Sequence, residues 1–391
     1  MNGHLNQERA LQHLMDLLAV EGPSGKEGKV VELIKAKFLE FGADASWMMV
    51  DDAHTRIEED FETGNLIIKF PGTVDAPRIM FSAHMDTVPI CSGAVPVINE
   101  GKVVAEGQTA LGGDDRAACA AMATLAETIL TNDLPHPPIT FLFVVGEENG
   151  LHGSAAIDFA DLGRPVMGFN LDGELPNEFV IGAMGANRWE CDITGRSAHA
   201  GLNPEKGVSA GLIAARAIAK VSERGYFGKV MIGDKKGTSN VGGMNGGEVS
   251  NQVMDKMHLF GECRSHDPEF LPEIVDAYRT AFAEAASSVT DDQGRCGEAT
   301  FTTKSDYRSF RLNEDEPCVQ IAAQAIESIG LDPKPRVMDA GLDANNFNEK
   351  GLPCVTLGAG VHNFHNLEEC VIIEEYNQCC GILAAVVARC C

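Results

Sequence analysis

The stretch Arg78-Ile79-Met80-Phe81-Ser82-Ala83-His84-Met85-Asp86 is an apolar run that turns abruptly polar. A short run of this kind, bounded by turn residues, reads as a fully buried strand. The same grammar recurs three times. Ile139 to Val145 runs into Gly146-Glu147-Glu148, Val166 to Leu171 runs into Asp172-Gly173-Glu174, and Pro353 to Leu357 is followed by Gly358-Ala359-Gly360-Val361-His362-Asn363-Phe364-His365. Between two of these runs, Arg116 to Leu130 is Ala-rich and reads as a helix. Strands alternating with helices predict an α/β fold with a mostly parallel central sheet. In such sheets, ligands bind beyond the carboxyl ends of the strands. Four strands delivering His, Asp or Glu to one edge therefore mark a site.

Outward from this core, Glu8 to Leu18 and Val30 to Phe41 have helical spacing, separated by the turn Gly22-Pro23-Ser24-Gly25. The middle of the chain changes character. Arg188 to Thr194 alternates as a half-buried strand, Val208 to Val221 is helical and Gly237 to Gly247 is glycine-rich. Met257 to Cys263 is a further strand, and Pro268 to Ser287 a long helix. Two strands, a helix, two strands and a helix predict a small α+β sandwich. After Thr290 to Arg295 the α/β grammar returns, with helices at Val319 to Ile329 and Ile372 to Arg389. The reading is an α+β domain at 185–306 inserted into a larger domain made of 1–184 and 307–391.

Imidazole and carboxylate together favour a divalent metal of borderline softness, zinc first, with cobalt or manganese as substitutes. Leu111-Gly112-Gly113-Asp114-Asp115-Arg116 adds carboxylates at a glycine turn just before the Ala-rich helix. That is more carboxylate than one tetrahedral ion can use, and it points to two ions with a bridging group. The adjacent Glu147 and Glu148 repel unless a cation or a proton lies between them. One can bind metal while the other moves a proton to and from water.

Composition excludes other classes of partner. Lys plus Arg number 31 against 57 Asp plus Glu, a formal net charge of −26, which repels phosphate backbones and anionic lipid. No apolar run approaches the ~20 residues of a membrane-spanning helix, and the N-terminus lacks the basic and apolar regions of a signal peptide. The expectation is a cytoplasmic protein with neither nucleic-acid nor membrane partners. The twelve cysteines include no C-x-x-C pair and read as reduced thiols.

The ordered motifs resemble the di-zinc metallopeptidase superfamily that includes peptidase T, carboxypeptidase G and the aminoacylases. They are Ser82-Ala83-His84-Met85-Asp86-Thr87-Val88-Pro89, Leu111 to Arg116, Gly146 to Gly150, Asp172-Gly173-Glu174, Gly195-Arg196-Ser197-Ala198-His199-Ala200-Gly201 and His365-Asn366-Leu367-Glu368-Glu369. The likeness runs from about residue 8 to 390. It is strongest to peptidase T and its relatives, through the Gly-Gly-Asp-Asp-Arg-Ala turn, the Asp-Gly-Glu run and Asp339-Ala340-Gly341-Leu342-Asp343.

This resemblance implies that His84 and Asp172 hold one zinc, that Glu148 and His365 hold the other, and that Asp114 bridges both. It implies Asp86 behind His84 as the acceptor of its second N–H, Glu147 as general base, and a cis Asp114–Asp115 peptide. His362, three residues before His365, is the competing ligand by sequence; the Asn-x-His pattern followed by Glu-Glu favours His365. In the inserted domain, His199 resembles the lid histidine that reaches the substrate carbonyl oxygen in the partner subunit's site. Asn240 and Arg264 resemble groups that clamp the substrate backbone or carboxylate.

The implied protein is a homodimeric di-zinc exopeptidase whose lid domain carries the dimer contact. It would release the N-terminal residue of short peptides, as a tripeptidase does. The same scaffold also hosts amidohydrolases or deacylases of N-acyl amino acids, and carboxypeptidases, because fold does not settle function. A catalytically silent metal-binding scaffold would be marked by loss of Glu147 or a ligand, and all are present.

Overall fold

The computed structural model describes residues 2–391. The chain divides into two compact units. One runs through Gly182 and adds Arg311–Met338 and Leu342–Cys391; the other is Ala183–Phe310 with Asp339–Gly341.

The first unit is built on the parallel strands expected. Ile79–His84 lies between Ile139–Val144 and Met167–Gly173, parallel to both, and Cys354–Gly358 runs parallel to Met167–Gly173. Antiparallel strands flank this centre: Leu66–Phe70 and then Met48–Val50 on one side, Glu178–Ala183 on the other. Every residue of Ile79–His84 and of Ile139–Val144 is buried, as a parallel sheet covered on both faces requires. Register aligns the polar ends. His84 pairs with Val144 and Ser82 with Asn170, while Leu357 pairs with Leu171. The segments after all four strands therefore emerge at one edge of the sheet.

The Ala-rich helix spans Gly113–Thr131, but Asp114 and Asp115 have non-helical dihedrals and the regular helix begins at Arg116. Its alanines are buried. Small side chains allow Ile79–His84 and the helices Gln7–Leu18 and Ile373–Arg389 to pack directly against it. Arg116 is itself buried, and its guanidinium donates to the carbonyls of Met85, Leu17, Val20 and Gly22. One side chain thus ties the end of the first helix to the loop after His84. A small sheet, unread in the sequence, joins Val95–Asn99, Lys102–Glu106, Cys370–Ile372 and Val361–His362 in antiparallel fashion. Its last two strands bracket the loop that carries His365. All twelve cysteines are free, and Cys379 and Cys380 are buried in the closing helix.

The second unit is an antiparallel five-stranded sheet in the order Gly228–Ile232, Lys235–Gly246, Lys256–Ser265, Gly185–Thr194, Glu298–Tyr307. The helices Ala210–Glu223 and Phe270–Ser288 share its apolar core. The sequence reading left Gly237 to Gly247 unassigned, and the structure makes most of it a twelve-residue strand. Glycine is used there for close approach. A Cβ on Gly237 would lie 2.5 Å from Ile274 Cδ1, and one on Gly243 would lie 2.2 Å from the Phe260 ring. The core centres on Trp189, whose ring lies 4.9 Å from Tyr278, 5.8 Å from Phe282 and 5.6 Å from Phe301. Trp189→Ala is expected to destabilise this unit by ~3–5 kcal/mol, the range for removing a large buried aromatic. A drop in the denaturation midpoint reads it, and an unchanged midpoint would refute the central place given to this ring.

Candidate metal centre

The strand ends bring five side chains together. His84 Nε2 lies 3.1 Å from Asp114 Oδ1 and 3.9 Å from Asp172 Oδ1. His365 Nε2 lies 3.3 Å from Asp114 Oδ2 and 2.9 Å from Glu148 Oε1. The two oxygens of Asp114 therefore face different imidazoles, each of which also has a second carboxylate beside it. The Asp114–Asp115 peptide is cis. His365 sits at φ 59°, and its near neighbour Asn363 at 57°. Non-glycine residues are uncommon in the left-handed region and gather at functional sites. His362 does not join the cluster: its Nε2 bonds Glu375 at 2.6 Å and its Nδ1 lies 3.3 Å from Glu174.

Asp86 does more than the sequence implied. His84 Nδ1 is 3.1 Å from the Asp86 carbonyl oxygen and 3.4 Å from its carboxylate. Both are acceptors, so Nδ1 carries a proton and Nε2 faces Asp114 and Asp172. The Asp86 carboxylate is fully buried and mainly serves others. It accepts from Ser24 Oγ at 2.6 Å, Glu147 N at 3.0 Å and Glu148 N at 3.2 Å. These bonds hold the turn that presents the glutamate pair.

The electrostatics are those of crowded buried anions. Burial pushes Glu147 well above the usual carboxylate range, and the charges of Asp172, Asp343 and Glu148 add to it. Burial and Asp114 likewise raise Asp172. Burial opposes a charged His84, but hydrogen bonds to Asp114 and Asp86 outweigh it and leave that imidazole well above its ordinary value. Hydrogen bonds to Asp114 and Glu148 push His365 up to about 10. Carboxylates packed this closely need positive charge among them. The mixed imidazole and carboxylate donor set fits divalent cations of borderline softness. His84, Asp114 and Glu148 offer ligand atoms within 4.8 Å of one another, as do His84, Asp115 and Asp172.

Four supporting residues were given no individual role by the sequence reading. Asp115 Oδ2 accepts the His84 backbone N–H at 3.2 Å. Glu27, in the turn before the second helix, accepts from Gly25 N and Gly146 N at 3.0 Å each; burial and the Asp86 charge push it up to about 7. Asp343 is buried beside Ser154, and burial pushes it up to about 6. Glu369 accepts from Gly112 N at 2.8 Å and Asp114 N at 3.0 Å. Asp343 and Glu369 stood inside motifs quoted for the resemblance, which was their only signal. Glu27 had none.

His199, Asn240 and Arg264 lie in the second unit. His199 is exposed, and its Nδ1 accepts from Gly201 N at 3.1 Å and Leu202 N at 3.2 Å. Its proton is therefore on Nε2, which leaves an N–H donor at the ring's far side. Asn240 is exposed and pairs in register with Glu262, two residues from Arg264. Arg264 donates through Nε and Nη2 to the two Glu262 oxygens at 3.0 Å each. Burial works against its charge, but the Glu262 hydrogen bond together with the charges of Glu262 and Asp306 and the nearby Tyr307 outweighs it and raises the guanidinium above its ordinary value.

A match to peptidase family M20/M25/M40 spans residues 80–389. The chain is 32% identical over 98% of both chains to the uncharacterized protein YqjE of Bacillus subtilis (strain 168). It is similar to the crystal structure of aminopeptidase PepT from Bacillus cereus ATCC 10987, with 32% identity and a TM-score of 0.86 over 98% of this chain and 99% of that one. It is also similar to a tripeptidase from Staphylococcus aureus subsp. aureus Mu50, with 30% identity and a TM-score of 0.89 over 98% of each chain. Both likenesses cover the two units and the mostly parallel central sheet. Among the described residues no helix is long and apolar enough to cross a membrane. With the strand ends, the cluster of imidazoles and carboxylates and these matches together, the chain belongs to peptidase family M20/M25/M40 and is a metallopeptidase.

Proposed function

We propose that this chain is a cytoplasmic di-zinc aminopeptidase that removes the N-terminal residue of short peptides. The observation that carries the reading is Asp114, whose two carboxylate oxygens lie 3.1 and 3.3 Å from the Nε2 atoms of His84 and His365. A carboxylate so placed suits a bridge between two cations, one shared with His84 and Asp172 and the other with His365 and Glu148. When bound there, two such cations supply Lewis acidity, polarising the scissile carbonyl and acidifying a water.

The remaining work belongs to side chains of this protein. Glu147 takes a proton from the attacking water and returns it to the amine nitrogen as the C–N bond breaks. Asp86 holds Glu147 and Glu148 in place through their backbone amides. His199 donates its Nε2 proton as a hydrogen bond to the carbonyl oxygen as negative charge develops there. Arg264 and Asn240 clamp the backbone or carboxylate of the peptide, and a bound carboxylate would take the place of Glu262 on the Arg264 fork. The second unit acts as lid and dimer contact, with His199 serving the partner's site. The chemical names of the two similar crystal structures support peptides as substrates.

The test is a panel of tripeptides, dipeptides and N-acetyl amino acids incubated with zinc- or cobalt-loaded protein. Release of the N-terminal residue from tripeptides is expected. Turnover confined to N-acetyl amino acids would replace the aminopeptidase reading with a deacylase on the same centre.

A further inference from the structure

Glu369 touches none of the side chains assigned to the metals, yet it holds the backbone that carries the most central of them. It is 2% exposed and lies on the segment between Val361–His362 and Cys370–Ile372. Its Oε2 accepts the Gly112 N–H at 2.8 Å and its Oε1 the Asp114 N–H at 3.0 Å; the Cys91 thiol is 3.9 Å from Oε2. The two amides flank Gly113, where packing is equally tight. A Cβ there would lie 2.9 Å from Val371 Cγ2, 3.0 Å from Val361 Cγ1 and 3.4 Å from Glu369 Oε1. The turn before the Ala-rich helix is thus seated on the hairpin that also presents His365. Asp86 grips Glu147 N and Glu148 N in the same manner, so paired backbone amides on one buried carboxylate form a repeated device of this centre.

We infer that Glu369 is a positioning residue that sets the Asp114 carboxylate between His84 and His365, so that the affinity of both metal positions depends on a group that binds neither ion. The chain of contacts is short. Glu369 fixes Gly112 N and Asp114 N, those amides fix the Asp114 backbone, and the backbone fixes where the two carboxylate oxygens point. An amide at this position keeps one oxygen acceptor and loses the other, so one of the two N–H groups goes unsatisfied and the turn is free to shift. This inference rests on the two-cation reading of the cluster, and the experiment separates the two.

The test is metal binding by the full-length apoprotein, using Co2+ and Zn2+ alone, with the Co2+ absorption spectrum as a second readout. The wild-type chain is expected to take up two equivalents. E369Q is expected to remain folded by circular dichroism, to bind both equivalents ~10–100-fold more weakly, and to show an altered Co2+ spectrum. Should E369Q fail to fold, E369D serves instead: it keeps the charge and draws the carboxylate back by one methylene, and the same weakening is expected. A folded variant with wild-type affinities and an unchanged spectrum would overturn the role of Glu369. A wild-type chain that binds fewer than two equivalents would overturn the two-cation reading instead.

Discussion

Replacing Glu147 with Gln is expected to lower tripeptide turnover by roughly a hundred- to ten-thousand-fold, the range that a well-placed general base contributes, while the protein retains two metal equivalents. Glutamine has nearly the shape of glutamate and cannot accept a proton at neutral pH. The turn around it is held by backbone amides on Asp86 rather than by the Glu147 side chain, so the neighbouring Glu148 should stay beside His365. Burial and the charges of Asp172, Asp343 and Glu148 already disfavour a charged Glu147. A neutral amide of nearly the same shape adds no charge to this cluster, so the metal-free chain is expected to keep its stability. Metal analysis and steady-state kinetics on the same preparation decide the matter. Full metal content with undiminished kcat would remove Glu147 from the proton-transfer role.

Asp114→Ala is expected to empty both metal positions together. Its two oxygens face His84 and His365 separately, so its loss strips a ligand from each side. The affinity loss should exceed the ~10–100-fold seen when an outer partner of a ligand is removed. His365→Ala provides the contrast. It removes a group that faces Asp114 and Glu148 only, and is expected to weaken one position and leave the other filled. Metal content per chain after dialysis against a weak chelator separates these outcomes. Retention of one full equivalent by Asp114→Ala would show that this carboxylate serves a single ion. Activity should follow the metal count, because hydrolysis without polarisation of the carbonyl loses several kcal/mol of transition-state stabilisation.

Much of this centre is visible in the chain as punctuation. Four apolar runs end in His84, Glu147, Asp172 and the segment before His365, and a run long enough to be a buried strand must end where its backbone leaves the sheet. Hydrophobic periodicity is a local property, so the strands and the Ala-rich helix of the first unit can be read one window at a time. Periodicity failed in the second unit, where the glycine-rich stretch Gly237 to Gly247 shows no period and received no element. Its glycines are small because Ile274 and Phe260 occupy the space their side chains would need, a fact held in other segments. The hairpin of Val361–His362 and Cys370–Ile372 was missed for a related reason. Its strands are two and three residues long, too short to show a period of their own.

The residue types able to bind metal, and the edge of the sheet at which they emerge, follow from local pattern together with the general rule for parallel sheets. Which oxygen faces which imidazole does not. Asp86 reaches amides 61 and 62 positions away, and Glu369 reaches Gly112 across 257. Contacts of that span are set by strand register and by close packing around Arg116 and Gly113, where a displacement of a fraction of an ångström breaks a hydrogen bond. The chain's own pattern announced a divalent-metal hydrolase. The tertiary structure put His365 rather than His362 beside Asp114 and Glu148, showed Asp86 and Glu369 to be clamps on backbone amides, and placed Asp114 between two histidines, because those placements depend on distances that only the packed chain possesses.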